Sequence, residues 1–94
     1  MKAYDVKTLR ACQSGGIIVE GRFDSEFAMH ELCLLLQGVA KCSEKLGVVR
    51  FSHEWHDITI YRNGRVAVHG VATEEDAIEV INDIKLIVED AFVD

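Results

Sequence analysis

The chain carries two kinds of side chain that can bind a metal ion or attack a substrate, namely histidine and cysteine. Its four histidines and three cysteines include His30 and Cys33, which share one side of a predicted helix because they are three positions apart. A zinc site there would need further ligands, and the candidates are His53 and His56 around the turn "HEWH". Nothing in the order of the chain brings that turn to His30, so we expect solvated histidines and no metal site.

The spacing of the cysteines predicts free thiols. An odd count of three does not suggest the paired cysteines of a small secreted protein. Cys33 and Cys42 fall in one predicted helix, where they would lie about 13 Å apart on opposite sides, so we expect them not to bridge and at least one to be a buried free cysteine. Cys12 precedes "QSGG", which is either a reactive or anion-binding loop or a flexible entry into a strand.

Motifs of known catalytic mechanisms are absent from the sequence. There is no GxxxxGK[ST], GxSxG or CxxC pattern. Paired carboxylates occur only at predicted helix starts and ends, where solvation and the helix dipole explain them. We therefore expect a protein that is not an enzyme and that needs no cofactor.

Composition limits the class of protein and of partner. A chain of 94 residues with 49% hydrophobic content is enough for one domain with one modest core. The net charge of −6 disfavours nucleic acid as a partner, although a local basic stripe would still permit it. No apolar run approaches the roughly 18 residues of a membrane span, and the first residues lack the apolar core of a signal peptide. A cytoplasmic protein without a membrane partner is expected.

Apolar periodicity predicts four strands and two helices. The strands are residues 15–23, 46–53, 57–62 and 65–71. The first helix runs through "EFAMHELCLLLQGVAKC" after a cap at Asp24 or Ser25, and the second begins after Thr73. Residues 1–14 form an extension that is either a short helix or an extra strand. The expected fold is a single α+β two-layer sandwich, β-α-β-β-β-α, with a four-stranded antiparallel sheet and both helices on one face. A ferredoxin-like fold is the alternative.

The last hairpin has two candidate registers. A two-residue Asn63-Gly64 loop would pair Ile60 with Ala67, whereas a three-residue loop with Gly64 in the left-handed region pairs Ile60 with Val66. The second register places four β-branched residues on one face of the sheet. Because burial of an apolar face fixes register, we expect the three-residue loop.

The stretch "ITIYRNGRVAVHGVATEEDA", with the order of elements, resembles one repeat of the TATA-box-binding protein family. The segments "IY", "NGR", "HGV" and "TEEDA" occupy the places of the hairpin, its turn and the acidic start of the last helix. The resemblance implies that two such units form a saddle whose concave sheet binds and kinks the DNA minor groove. It also implies that Tyr61 matches a kinking phenylalanine, His69 a groove-contacting threonine and Ala67 an apolar contact.

The uncovered side of the sheet is the predicted binding surface. Its aromatic ring with basic neighbours is suited to bind a peptide or stack on bases. Seven-residue spacing of Phe27 with Leu34, and of Leu86 with Val93, also predicts a contact surface on the outer helix faces or a homodimer. The expected function is a small binding or assembly module that contacts another protein, and the alternative is a nucleic-acid-binding dimeric saddle. The predicted binding residues are Arg22, Thr59, Tyr61, Arg65, Ala67 and His69, with Glu20, Arg50 and Ser52 nearby.

Overall fold

In the part of the chain that the structure describes, six antiparallel strands form a single sheet beneath two helices. The computed structural model describes residues 7–11 and 16–93 of the chain. Within them the sheet order is β1-β2-β6-β5-β4-β3, helix α1 lies between β2 and β3, and helix α2 follows β6 before a 3-10 turn. The bounds are β1 Lys7–Ala11, β2 Ile17–Arg22, α1 Met29–Leu35, β3 Ala40–Ser43, β4 Val48–His53, β5 His56–Tyr61, β6 Arg65–Val71, α2 Glu74–Val88 and the 3-10 turn Glu89–Ala91.

The α+β class and the placement of both helices on one face of the sheet are confirmed, but the predicted count of four strands is wrong. Strand β1 pairs with β2 and is the extra strand that was one of the two alternatives for the N-terminal extension. Strand β3 was not predicted, and it lies where the sequence pattern predicts the end of the first helix. Both are edge strands, four or five residues long, and short edge strands leave little periodicity to detect. No helix in the described part of the chain is long and apolar enough to cross a membrane.

The core lies between the helices and one face of the sheet. Strands alternate sides, so every second residue of a strand packs beneath the helices, and both helices contribute to the same apolar cluster. Helix α2 contributes the stripe expected from its periodicity, except that Ile87 is 43% exposed. Thr73 caps α2 as expected, since its side-chain oxygen accepts a hydrogen bond of 3.1 Å from the amide of Asp76. The largest fully buried side chains are Leu32, Ile58, Ile60, Ile81, Ile84, Val19, Val49, Val66, Val68, Val71 and Val88.

The register of the last hairpin is confirmed. Ile58 pairs with Val68 and Ile60 with Val66, and all four side chains are buried. Gly64 has φ +94°, so the loop is the three-residue one that ends in a left-handed glycine. Backbone hydrogen bonds fasten this loop to the segment after β2, including a bond of 2.8 Å from the amide of Phe23 to the oxygen of Gly64.

The first helix is shorter than the sequence pattern predicts. It ends at Leu35, and the chain then turns through Gly38, whose φ of +88° is a left-handed conformation. Residues 40–43, predicted as helix, pair instead with β4. The predicted cap is also wrong. Ala28 precedes the helix without a side-chain bond, and Ser25 donates to the backbone oxygen of Val93 at 2.6 Å.

Cys33 and Cys42 form a disulfide, contrary to the expectation from sequence. The estimate of their separation assumed one continuous helix, but Cys33 lies in α1 and Cys42 in β3. The chain reversal at Gly38 brings their Cα atoms to 5.7 Å from one another, within the range that a disulfide requires. The bond therefore ties the short helix to the edge strand.

We predict that Gly64→Ala destabilises the fold by about 3 kcal/mol or more. A Cβ there would lie 2.6 Å from the backbone oxygen of Ser25, which cannot move without displacing the chain after β2. The matched control is Gly38→Ala, which has a similar positive φ but nothing within 4 Å of the added Cβ. This control should lower the free energy of unfolding by about 1–2 kcal/mol, which is the cost of holding an alanine in a left-handed conformation. Equal losses in urea unfolding would contradict the close approach at Gly64.

We predict that cleavage of the disulfide lowers the free energy of unfolding by about 2–3 kcal/mol, because the bond closes a loop of about ten residues. Alkylation of the chain unfolded in denaturant should modify one cysteine without reductant and all three after reduction. Cys33→Ser and Cys42→Ser should each lower the free energy of unfolding by as much as reduction does. Cys12→Ser should keep the bond, so reductant should still lower the free energy of unfolding of this variant. Alkylation of all three cysteines without reductant would rule out the bond.

Candidate functional site

The structure brings the six predicted binding residues together on the side of the sheet opposite the helices. Residues paired across antiparallel strands share a face, and the pairs Arg22–Arg65, Ala67–Thr59 and His69–Asp57 connect the three central strands. Tyr61 pairs with Val48 at the start of β4. We call this side the open face; its residues on strands β2 to β6 are Ile18, Glu20, Arg22, Lys41, Ser43, Val48, Arg50, Ser52, Asp57, Thr59, Tyr61, Arg65, Ala67 and His69.

The centre of the open face offers little contact area. Thr59 is 7% and Ala67 5% exposed, and these two small side chains are register partners on β5 and β6. Tyr61 and His69 are half-buried, and Arg22 is exposed. Of the predicted residues, those at the periphery are therefore the ones accessible to a partner.

Arg65 is held by two neighbours on the open face. Its Nη2 and Nε donate hydrogen bonds of 2.7 Å and 3.2 Å to Oε2 of Glu20. Its guanidinium carbon also lies 4.8 Å from the centre of the Tyr61 ring, a cation–π distance. The Glu20 side chain is only 14% exposed, so the arginine satisfies a carboxylate that water reaches poorly. Sequence periodicity placed these residues on one face but gave no indication of this network.

Charge divides the protein into two unlike surfaces. On strands β2 to β6 the open face carries four basic side chains, Lys41, Arg22, Arg50 and Arg65, and two acidic ones, Glu20 and Asp57. Residues 74–91, which include α2, carry seven acidic side chains and one lysine. The excess negative charge of the chain is therefore concentrated on the helical side.

The two helices, which we call the helical layer, expose several large apolar side chains. Leu34 is 52% and Leu86 72% exposed, as their predicted outer positions require, and Val93 beyond α2 is 52% exposed. Apolar periodicity predicts Leu35 and Ile87 in the buried stripes of the two helices, but each is 43% exposed. Phe27 was predicted to be exposed and is not. It is 3% exposed and packs in a cluster of three phenylalanine rings with Phe23 and Phe92.

The histidines and cysteines are arranged differently from the predicted alternatives. Cys33 is bound in the disulfide and is not a free ligand beside His30, whose Nδ1 lies 3.5 Å from a carboxylate oxygen of Glu44. His53 and His56 are register partners that flank a two-residue turn. In that turn both Glu54 and the fully exposed Trp55 have positive φ. Cys12 lies outside the described residues.

Comparison with known proteins gives no match, whether to a family model, a curated protein or a solved structure. The features that indicate a function are therefore the two surfaces and the side chains around the turn between His53 and His56.

We predict that Arg65→Met lowers the free energy of unfolding by about 1–2 kcal/mol, because it leaves the poorly hydrated Glu20 carboxylate without its partner. Adding Glu20→Gln should restore part of the loss, since a neutral amide tolerates burial better than a charge. The control is Arg22→Met, which removes an exposed arginine paired with Arg65 in the register and should change stability by less than about 0.5 kcal/mol. Equal effects of the two single substitutions in urea unfolding would contradict the coupling.

Proposed function

We propose that this chain is a small non-enzymatic binding module whose helical layer contacts another protein. The observation that carries the proposal is the exposure of large apolar side chains on both helices beside a concentration of carboxylates. Surfaces of this kind on small proteins are typical of interaction sites.

The charge of the helical layer favours one kind of partner. Seven acidic side chains between residues 74 and 91 repel both phosphate groups and the same layer of a second copy. They attract a protein segment in which apolar residues are flanked by lysine or arginine, and such a segment would cover Leu34 and Leu86 while its charges meet the carboxylates. The partner we propose is therefore a protein with a basic, amphipathic surface.

The open face is the weaker protein-contact surface. Its central side chains Thr59 and Ala67 are already buried, and Arg65 is engaged by Glu20 and Tyr61. A partner would gain little apolar area there.

A second candidate, a nucleic-acid-binding dimeric saddle, is favoured by the excess of basic side chains on the open face. Four basic against two acidic groups form a local basic surface despite the net charge of the chain. The resemblance to a repeat of the TATA-box-binding protein family supports the same candidate. The described order has two strands, a helix, four further antiparallel strands and a last helix; β1 and β3 are additions to the succession that the resemblance implies. In this candidate Tyr61, His69, Arg22 and Arg65 contact the duplex, and two copies pair at strand edges to form a homodimer.

For the compartment we propose the cytoplasm. The consequence is that the reducing conditions there would hold Cys33 and Cys42 as thiols, because disulfides rarely persist in that compartment.

The two candidates are separated by mapping amide NMR shifts with two probes, a leucine–lysine amphipathic helical peptide and a DNA duplex. We expect the peptide to perturb residues 34–39 and 83–93, and a scrambled peptide of the same composition to perturb them far less. Leu86→Ser should weaken peptide binding about tenfold, as expected for the loss of an interface anchor. The matched control is Leu46→Ser, which removes an equally exposed leucine (77%) from the turn between β3 and β4.

Perturbation confined to residues 59–69 and produced by the duplex would instead favour the saddle, and added salt should then weaken binding steeply. Equal binding of the ordered and scrambled peptides would overturn the helical-layer proposal, because charge alone would then account for the affinity.

A further inference from the structure

Three side chains of types that can bind a metal ion lie close together beside the turn between β4 and β5, two of them from the turn region and one from α2. His53 ends β4, Glu54 begins the turn, and Asp83 lies on α2. Each offers one ligand atom, and the three atoms lie within 4.8 Å of one another. Among the described residues this is the one group of three or more such side chains that is so close together.

The imidazole of His53 gives a second, independent indication of a ligand, because one of its nitrogens lacks a hydrogen-bond partner. Its Nε2 is buried and makes no hydrogen bond with the described residues. Oδ2 of Asp83 lies 4.0 Å from it, which is too far for a hydrogen bond. A buried polar atom is normally paired, so an unpaired one requires an explanation such as an ion. A cation held between the imidazole and the carboxylates would satisfy all three groups.

We propose that His53, Glu54 and Asp83 form a binding site for a divalent transition-metal ion, with zinc as the representative ion. One imidazole nitrogen and two carboxylate oxygens are ligands that zinc accepts at about 2.0–2.2 Å. The imidazole favours zinc, cobalt or nickel over magnesium and calcium, which prefer oxygen ligands alone. Three protein ligands leave a coordination position for water. Small side-chain movements would bring the ligand atoms to the separation of about 3.3 Å found around a tetrahedral zinc.

Binding of an ion at this site would also have a structural consequence. The ion would join the tip of the β4–β5 hairpin to the middle of α2. Trp55 is the only tryptophan of the chain and directly follows Glu54, so its fluorescence reports on this site. Because it is fully exposed, its emission can respond to an ion at the neighbouring residue without any change in the core.

The test is titration of the oxidised, full-length chain with Zn²⁺ and Co²⁺ by calorimetry and by Trp55 fluorescence. We expect one zinc ion per chain, saturable quenching by cobalt, and a rise in Tm with zinc that EDTA reverses. Magnesium and calcium should produce none of these effects at the same concentrations. Asp83→Asn and Glu54→Gln, both at exposed positions, should weaken zinc binding about tenfold or more while leaving the circular dichroism spectrum and the Tm in EDTA unchanged.

The matched control is His30→Ala, which removes a histidine that also lies beside a carboxylate but is 69% exposed. It should change zinc affinity less than twofold, as should Cys12→Ser. Loss of affinity in His30→Ala or Cys12→Ser, with full affinity retained in Asp83→Asn and Glu54→Gln, would overturn the proposal. Absence of zinc binding to the native chain would overturn it as well.

Discussion

The register between β5 and β6 is the constraint on which the rest of the structure depends. It places Ile58, Ile60, Val66 and Val68 beneath the helices, and it is fixed by a three-residue loop that ends at Gly64. A shift of one residue would turn these side chains to solvent and bring Thr59 and Ala67 into the core. The same loop is bonded to the chain on both sides: Phe23 and Phe27 donate to it, and the amide of Arg62 donates to the oxygen of Gly47. The β5–β6 loop is thus bonded both to the segment after β2 and to the turn before β4.

The parts of the fold that were predicted correctly are those in which local pattern and burial agree. The alternation of β5 and β6 and the stripe of α2 could be followed in the sequence because each element buries one full face. The first helix could not, because its apolar residues continue at helical spacing to Val39, which is 69% exposed. The left-handed turn at Gly38 and the disulfide override that periodicity. The disulfide acts through tertiary structure, since the partner of Cys33 lies in a strand whose pairing is with β4.

The candidate sites show the same division between local and long-range information. Alternation in the strands was enough to place Arg22, Tyr61 and His69 on one face, because side-chain direction follows from strand position. The bond between Arg65 and Glu20 joins strands 45 residues apart, and no local signal identifies it. Asp83 likewise approaches His53 only because α2 packs across the sheet. Its sequence neighbourhood is that of an ordinary polar position on a helix.

The disulfide has a consequence for the sheet edge that it secures. Strand β3 is four residues long and is the outermost strand on its side. Backbone bonds to β4, packing of Ala40 and Cys42 against the core, and the covalent link to α1 hold it in place. Reduction removes the link, and detachment of β3 would then expose the backbone donors and acceptors of β4. An uncovered strand of this kind is a template for intermolecular pairing and aggregation. The thiol–disulfide balance of the surroundings is thereby coupled to the colloidal behaviour of the protein.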